Sequence, residues 1–368
     1  MFRLGSRAPR ARAMRHRRAA PGIMGRVSET VVIFGATGPL GSRVVRLAEA
    51  DPQVGRVVVL PADARPGDVG AETSLKDLLA EADVVIHLGG QAEVGPDGLP
   101  VSTGATEDLA STRALLAAAS SAAVDRLVLL SSAMVYGAWD NNPIPLTEDA
   151  PLRPNPDLRY ASARAESERL AFEWRAGRAS ATLAVLRPTV TVAAESASWL
   201  AASPWSASAL RALGQDRPSQ FLHLDDLATA VDHARRHGLD GPFNVSPDGW
   251  LSAEALAELA GPVGRLHLPA GLKGRWVSFR SQIGTEGAPE GWPYTRHSWV
   301  VANDRLRSTG WAPEHRNDEV YVEADPGGPL ASLSPRRRQE LSLLGVAVVA
   351  VGVGLGVTAW LVRRHRRG

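Results

Sequence analysis

The 368-residue chain contains no cysteine, so disulfides and thiolate metal sites are excluded. Its nine histidines offer no paired metal-ligand spacing. His233 and His237 stand four apart on an expected helix, where a solvated face is the reading, and no metal is expected. Residues 1–28 lack the apolar core of about seven or more residues that an export signal needs. Residues 1–26 carry eight arginines and no acid, so this segment reads as a basic, disordered extension. No basic face with interleaved aromatics is present either, and no nucleic-acid partner is expected. The formal net charge of +2 hides an asymmetry: much of the basic excess sits at the two ends, with Arg336 to Arg338 and Arg363 to Arg367 at the second of them.

The stretch that organises what remains is Val31-Val32-Ile33-Phe34-Gly35-Ala36-Thr37-Gly38-Pro39-Leu40-Gly41. Four apolar residues run into a glycine-rich turn, and an apolar-periodic segment (Val44, Val45, Leu47, Ala48) opens after it. The order is strand, tight turn, helix. Glycines let the backbone approach a phosphate closely, and a helix N-terminus presents free N–H groups and a positive dipole end to it. The turn reads as the pyrophosphate site of a dinucleotide. A glycine-rich βα turn that binds nothing is the alternative.

Beyond it, short apolar runs alternate with amphipathic segments, the pattern of a parallel sheet covered on both faces. Strands are expected over 56–60, 83–88, 127–130 and 182–186, and helices over 75–82, 107–119 and 159–175. Residues 138–157, rich in proline and asparagine, are expected to loop over the carboxyl ends of the strands, where ligands bind in such sheets. After Arg187-Pro188 the alternation degrades. The expected organisation is an α/β doubly wound parallel sheet over 29–190, a smaller substrate lobe over 191–325 and a linker over 326–340.

Residues 341–362 carry no charge, and at about 1.5 Å per residue they suffice to cross a hydrocarbon core of about 30 Å. Arginines flank the run, and a short basic tail, 363–368, follows. The expectation is a single-pass membrane helix with the large domain on the cytoplasmic side. Gly352 and Gly356 are spaced for close helix–helix contact, as in a homodimer.

A second constellation is Ser131-Ser132-Ala133-Met134-Val135-Tyr136-Gly137, followed by Tyr160-Ala161-Ser162-Ala163-Arg164. Taken with the glycine turn, Asp68-Val69, His87-Leu88-Gly89-Gly90, Leu186-Arg187-Pro188, Phe221 to Asp226 and Phe243-Asn244-Val245, the chain resembles the extended short-chain dehydrogenase/reductase superfamily, in its NAD-dependent epimerase/dehydratase branch. The resemblance covers about residues 30–320. It implies a Rossmann-type fold, an NAD cofactor and a small hydroxyl-bearing substrate such as a nucleotide sugar or a lipid-linked alcohol. It also implies catalytic roles for Ser132, which hydrogen-bonds the reacting oxygen, for Tyr160 as general acid/base, and for Arg164, which stands where the family places lysine. The cofactor would be held by Gly35, Thr37, Gly38, Pro39, Leu40 and Gly41, by Asp68 and Val69 at the adenine, by Leu88, Gly89 and Gly90 along the adenosine, and by Asp63, Tyr160, Arg164 and Arg187. Arg43 and Arg65 stand ready for a 2′-phosphate, which makes NADP the alternative cofactor.

A phenol takes a hydroxyl proton near neutrality when its pKa falls from about 10 toward 7, a change of about 4 kcal/mol. One positive charge about 4 Å away, at an effective dielectric near 20, supplies that much. An arginine therefore replaces the electrostatic part of a lysine but not its ability to relay a proton. Two readings follow: an oxidoreductase, epimerase or dehydratase, or a catalytically degenerate dinucleotide-binding sensor or scaffold. Pro39 lacks an N–H for the pyrophosphate but suits the first position of a helix. His223, Asp225 and Asp226 are read as a strand end and helix cap.

Overall fold

The computed structural model describes residues 28–36, 38–61, 75–89, 103–194, 217–259 and 292–324. The central sheet is six-stranded and wholly parallel. Its strands are β1 (Glu29–Phe34), β2 (Val54–Leu60), β3 (Val84–His87), β4 (Arg126–Leu130), β5 (Thr182–Pro188) and β8 (Gly241–Val245), in the spatial order β2-β1-β3-β4-β5-β8. The chain leaves β1 to one side for β2 and then crosses to the other side for β3. The crevice at the end of β1 is therefore a topological switch point.

Successive residues of β1 point to opposite faces, and both faces are covered. Val31 and Ile33 join a core with Leu40 and Val44 of α1 (Pro39–Ala50) and with Leu227 and Val231 of α5 (Leu224–His237). Val32 and Phe34 join the opposite core with Leu79 of α2 (Leu75–Ala80), Leu115 of α3 (Thr103–Ala122) and Trp174 of α4 (Arg159–Ala176). Burial on both sides is why these strands read as unbroken apolar runs rather than as alternating ones.

A third core caps the carboxyl edge of the sheet. It joins a 3-10 turn (Ala133–Tyr136) to a parallel pair, β6 (Val190–Val192) and β7 (Phe221–His223), and to Tyr294 of α7 (Trp292–Arg296) and Tyr321 of α9 (Asn317–Ala324). Two further short helices, α6 (Ala253–Leu259) and α8 (Asp304–Arg307), complete the described elements.

The central layers continue past residue 190. Helix α5 packs on α1, and β8 pairs with β5 from Ala184↔Gly241 to Pro188↔Val245, so residues 224–245 belong to the central layers. The chain makes an excursion after β5 and returns to finish the sheet. Helix α2 is two residues shorter than expected, and α3 is longer at both ends. Among the described residues no helix is long and apolar enough to cross a membrane. The basic extension and the apolar span 341–362 lie outside the described residues, as do Thr37, Asp63, Arg65, Asp68, Val69 and Gly90.

Candidate active site

The turn after β1 has the backbone that a phosphate cradle requires. Gly35 and Gly38 lie at φ of 74° and 96°, a region costly for residues with a side chain. A Cβ added at Gly41 would stand 2.2 Å from the Ala36 carbonyl carbon and oxygen, so only glycine lets α1 start this close to the turn. Gly38 caps α1 without a side chain, and Pro39 is its first residue. The first intrahelical bond runs from Ser42 N–H to the Gly38 carbonyl, at 3.1 Å. The N–H groups of Leu40 and Gly41 precede it and have no acceptor within the helix, so they are available to an anion. The cradle fits a dinucleotide pyrophosphate.

The neighbouring strand end adds to it. Leu88 N–H donates to the Phe34 carbonyl at 3.0 Å, which seats Gly89, at φ of 75°, beside the turn. Arg43 is differently employed from the expectation. Its Nε is ion-paired with Asp225 of α5 and its Nη1 donates to the Pro39 carbonyl at 3.1 Å, so it ties α5 to the first turn of α1. Burial works against the Asp225 charge, and Arg43 more than offsets it, holding the carboxyl below its usual range.

Ser132 follows β4 and caps the 3-10 turn, its Oγ accepting the Met134 N–H at 3.2 Å. A hydroxyl that accepts in this way keeps its own proton to donate. Tyr160 is the second residue of α4 and is half-buried. Arg164 lies one turn on, buried, with its guanidinium carbon 5.3 Å from the centre of the Tyr160 ring. Its Nη1 donates to the Leu130 carbonyl at 3.1 Å, two residues before Ser132. That bond ties the face of α4 that carries Tyr160 to the end of β4 that carries Ser132. The cation sits over the face of the phenol ring.

Arg187, expected at the cofactor, is buried and held by a network of side chains. Its Nε is 3.1 Å from both Glu168 oxygens, its Nη2 is 2.6 Å from Glu168 Oε2, and its Nη1 donates to the Tyr136 hydroxyl at 2.7 Å. Tyr136 in turn donates to Asn244 Oδ1 at 2.7 Å, and the Asn244 N–H reaches Glu148 Oε1 at 2.9 Å. Ser131 closes the network by donating to Glu168. Burial opposes the Arg187 charge, but Glu168 and Tyr136 hold its pKa above the ordinary arginine value. Burial pushes the Tyr136 phenol up to about 12 despite Arg187. The network joins β4, the 3-10 turn, α4, β5 and β8 beneath the site. Sequence reasoning missed Glu168 here, although Tyr160, Arg164 and Glu168 recur every four residues and so share one face of α4.

His223 caps α5, its Nδ1 accepting the Asp225 N–H at 3.2 Å. Its ring stacks on His315 at 3.8 Å, and His315 Nδ1 lies 3.2 Å from Asp226. Ligand-type atoms of His223, Asp225 and His315 lie within 4.8 Å of one another. The Nδ1 of His223 and the Asp225 carboxylate are nonetheless committed to the cap and to Arg43.

A parallel sheet with a glycine cradle at its switch point, and a serine and tyrosine brought to the same edge, is the setting in which known relatives are informative. The model of the NAD dependent epimerase/dehydratase family matches residues 31–246, more than half of the chain. An uncharacterized protein of Mycobacterium tuberculosis (strain ATCC 25618 / H37Rv) is 23% identical over 312 residues, which cover 80% of this chain and 82% of that protein. The N-acetyl-alpha-D-glucosaminyl-diphospho-ditrans,octacis-undecaprenol 4-epimerase of Escherichia coli O157:H7 is 29% identical over 170 residues, 45% of this chain and 49% of that protein. The solved UDP-glucose 4-epimerase of Thermus thermophilus, in complex with NAD, shares the fold with a TM-score of 0.54 at 19% identity, over 80% of this chain and 97% of that one. With its sheet, its cradle and the matched span in agreement, the chain belongs to the NAD-dependent epimerase/dehydratase family of the extended short-chain dehydrogenase/reductase superfamily.

Proposed function

We propose that this protein binds NAD, with NADP as the alternative, and acts as an oxidoreductase, epimerase or dehydratase on a hydroxyl-bearing sugar carried on a nucleotide or a lipid diphosphate. The observation that carries the reading is the Arg164 link, which brings Tyr160 to the strand end bearing Ser132, on the sheet edge that also holds the glycine cradle. Bound NAD supplies a hydride acceptor. Ser132 would donate a hydrogen bond to the substrate oxygen, and Tyr160 would take the hydroxyl proton. Arg164 supplies fixed positive charge beside the phenol ring. The likeness to an undecaprenol-linked sugar epimerase favours a lipid-linked substrate, as does a membrane anchor at 341–362 with the domain on the cytoplasmic face.

The test is turnover of sugar nucleotides and undecaprenyl-diphospho sugars by the full-length protein in detergent. Tyr160→Phe is expected to abolish turnover while leaving NAD affinity unchanged. A chain ending at Pro335 is expected to leave the membrane fraction, and its continued sedimentation with membranes would rule out 341–362 as the anchor. A second reading, a dinucleotide-binding scaffold, is favoured by the Arg164 fork being spent partly on the Leu130 carbonyl. It gains if the protein binds NADH, turns over none of these substrates, and acquires no activity on Arg164→Lys.

A further inference from the structure

Among the described residues five large apolar side chains stand exposed, and three of them belong to one surface. Trp250 and Leu259 line a groove of about 720 Å³ formed by the turn after β8, by α6 and by the start of α9. Val322 lies one turn on from Asp318, which also lines the groove, and so shares its face of α9. Exposed apolar surface gathered in this way marks a place where something docks.

The charge of the groove says what kind of segment fits it. Four carboxylates line it against Arg316 and His315. Asp248 is answered by Arg307 at 2.6 Å, and Asp318 by Arg316 at 3.1 Å. Glu258 and Glu314 are exposed and pair with no cation among the described residues. An apolar wall beside two unanswered carboxylates suits a segment that is apolar and then basic. The chain itself carries one immediately after α9. Helix α9 ends at Ala324, and Asp325-Pro326-Gly327-Gly328-Pro329 follows, a composition that reverses a chain. Leu330 and Leu333 come next, and then Arg336-Arg337-Arg338, the one run of three consecutive arginines in the sequence. Ala324 stands only about 9 Å along α9 from Asp318. The stretch from Ala324 to Arg336 spans up to about 40 Å, ample for a return to the groove.

We propose that this groove is the docking site of residues 329–338 of the same chain, with Leu330 and Leu333 against Trp250 and Leu259 and with Arg336 to Arg338 facing Glu258 and Glu314. Docking covers the exposed apolar surface and fixes where the chain leaves the domain for the uncharged run that begins at Leu341. The proposal stands apart from the catalytic reading, since neither the cradle nor Ser132, Tyr160 and Arg164 take part in it.

The chain has no cysteine, so two introduced cysteines report only on each other. Ala255→Cys, on the groove wall, is combined with Ser334→Cys in the full-length protein in detergent. Mild oxidation, followed by non-reducing gels and mass spectrometry, reads the intramolecular disulfide. In the control, Ser121→Cys, exposed near the end of α3 at the amino edge of the sheet, replaces Ala255→Cys. The groove pair should close about tenfold or more faster than the control pair. Glu258→Gln with Glu314→Gln, both on the surface, should slow the groove pair by about threefold to tenfold, and about 0.5 M salt should do the same. Equal rates for the two pairs overturn the proposal and leave the groove to another occupant, residues 260–291 or a different protein. A groove-pair rate indifferent to the glutamine substitutions overturns it as well. Disulfides found only between molecules, at a rate that rises with protein concentration, overturn it by assigning the groove to a second copy.

Discussion

Arg187 and Arg217 are buried to nearly the same depth, at 3% and 5% exposure, and the protein treats them in opposite ways. Arg187 has its fork filled by Glu168 and Tyr136, inside a network that joins five segments. Arg235 is handled like it, with Asp51 and Asp232 at 2.6 and 2.8 Å and Glu29 also paired to it. Arg217 has one carbonyl, that of Tyr294 at 2.8 Å. Its pKa of about 10 implies a penalty of about 3 kcal/mol against the charged form relative to an ordinary arginine. Burial by itself therefore does not mark a functional arginine. What separates the two is the partner, since a buried charge that nothing answers is costly to the fold.

The contrast breaks most decisively at Glu168. Glu168→Leu strands Arg187 in the core and should destabilise the fold by about 3–5 kcal/mol, read as a lower denaturant midpoint in equilibrium unfolding. Arg217→Met should do the reverse. Removing an unanswered charge should raise stability by about 1–3 kcal/mol, read in the same unfolding measurement. If both substitutions destabilise equally, the distinction between the two arginines is void. At the cradle the effect is steric. Gly41→Ala drives a Cβ against the Ala36 backbone and should cost about 1–3 kcal/mol. The same substitution should weaken NAD binding, measured by titration calorimetry, by more than its effect on stability explains.

The parts of the molecule built from contiguous residues are the more legible ones. The β1 turn announces itself because strand, glycines and helix are contiguous, and α4 runs over Arg159–Ala176 against an expected 159–175 because its boundaries are local. Strand β8 is not legible as part of the sheet. Its five residues, Gly241–Val245, carry little apolar signal, and their place comes from pairing with β5, more than 50 residues earlier in the chain. The Arg187 network is hidden for the same reason: its members lie on separate elements, and only the four-residue spacing on α4 points to Glu168. Arg217 carries no sequence signal, since a missing partner is a property of the folded surroundings. The direct bond of Arg43 to Asp225 likewise depends on α5 packing against α1.

His223 is a third solution to the same problem and the source of the smallest predicted effect. An arginine cannot shed its proton near neutrality, but an imidazole can. Burial lowers the His223 pKa, and repulsion from the stacked His315 adds to this, while Asp225, Asp226 and Glu323 pull the other way. The native state then binds a proton less readily than the unfolded chain, so the unfolded state holds more protons as pH falls. His223 should contribute stability that is present above the ordinary histidine range, about 6.5, and is lost as pH falls through that range toward the lower native value. His223→Asn keeps a capping oxygen for the Asp225 N–H and removes the titration. Unfolding midpoints of the variant between pH 7.5 and about 5 should fall less steeply than those of the natural protein, by a fraction of the change expected from one histidine. An equal slope in both would show that the carboxylates around His223 already balance its burial, and that this buried base, like Arg187, is answered from within the fold.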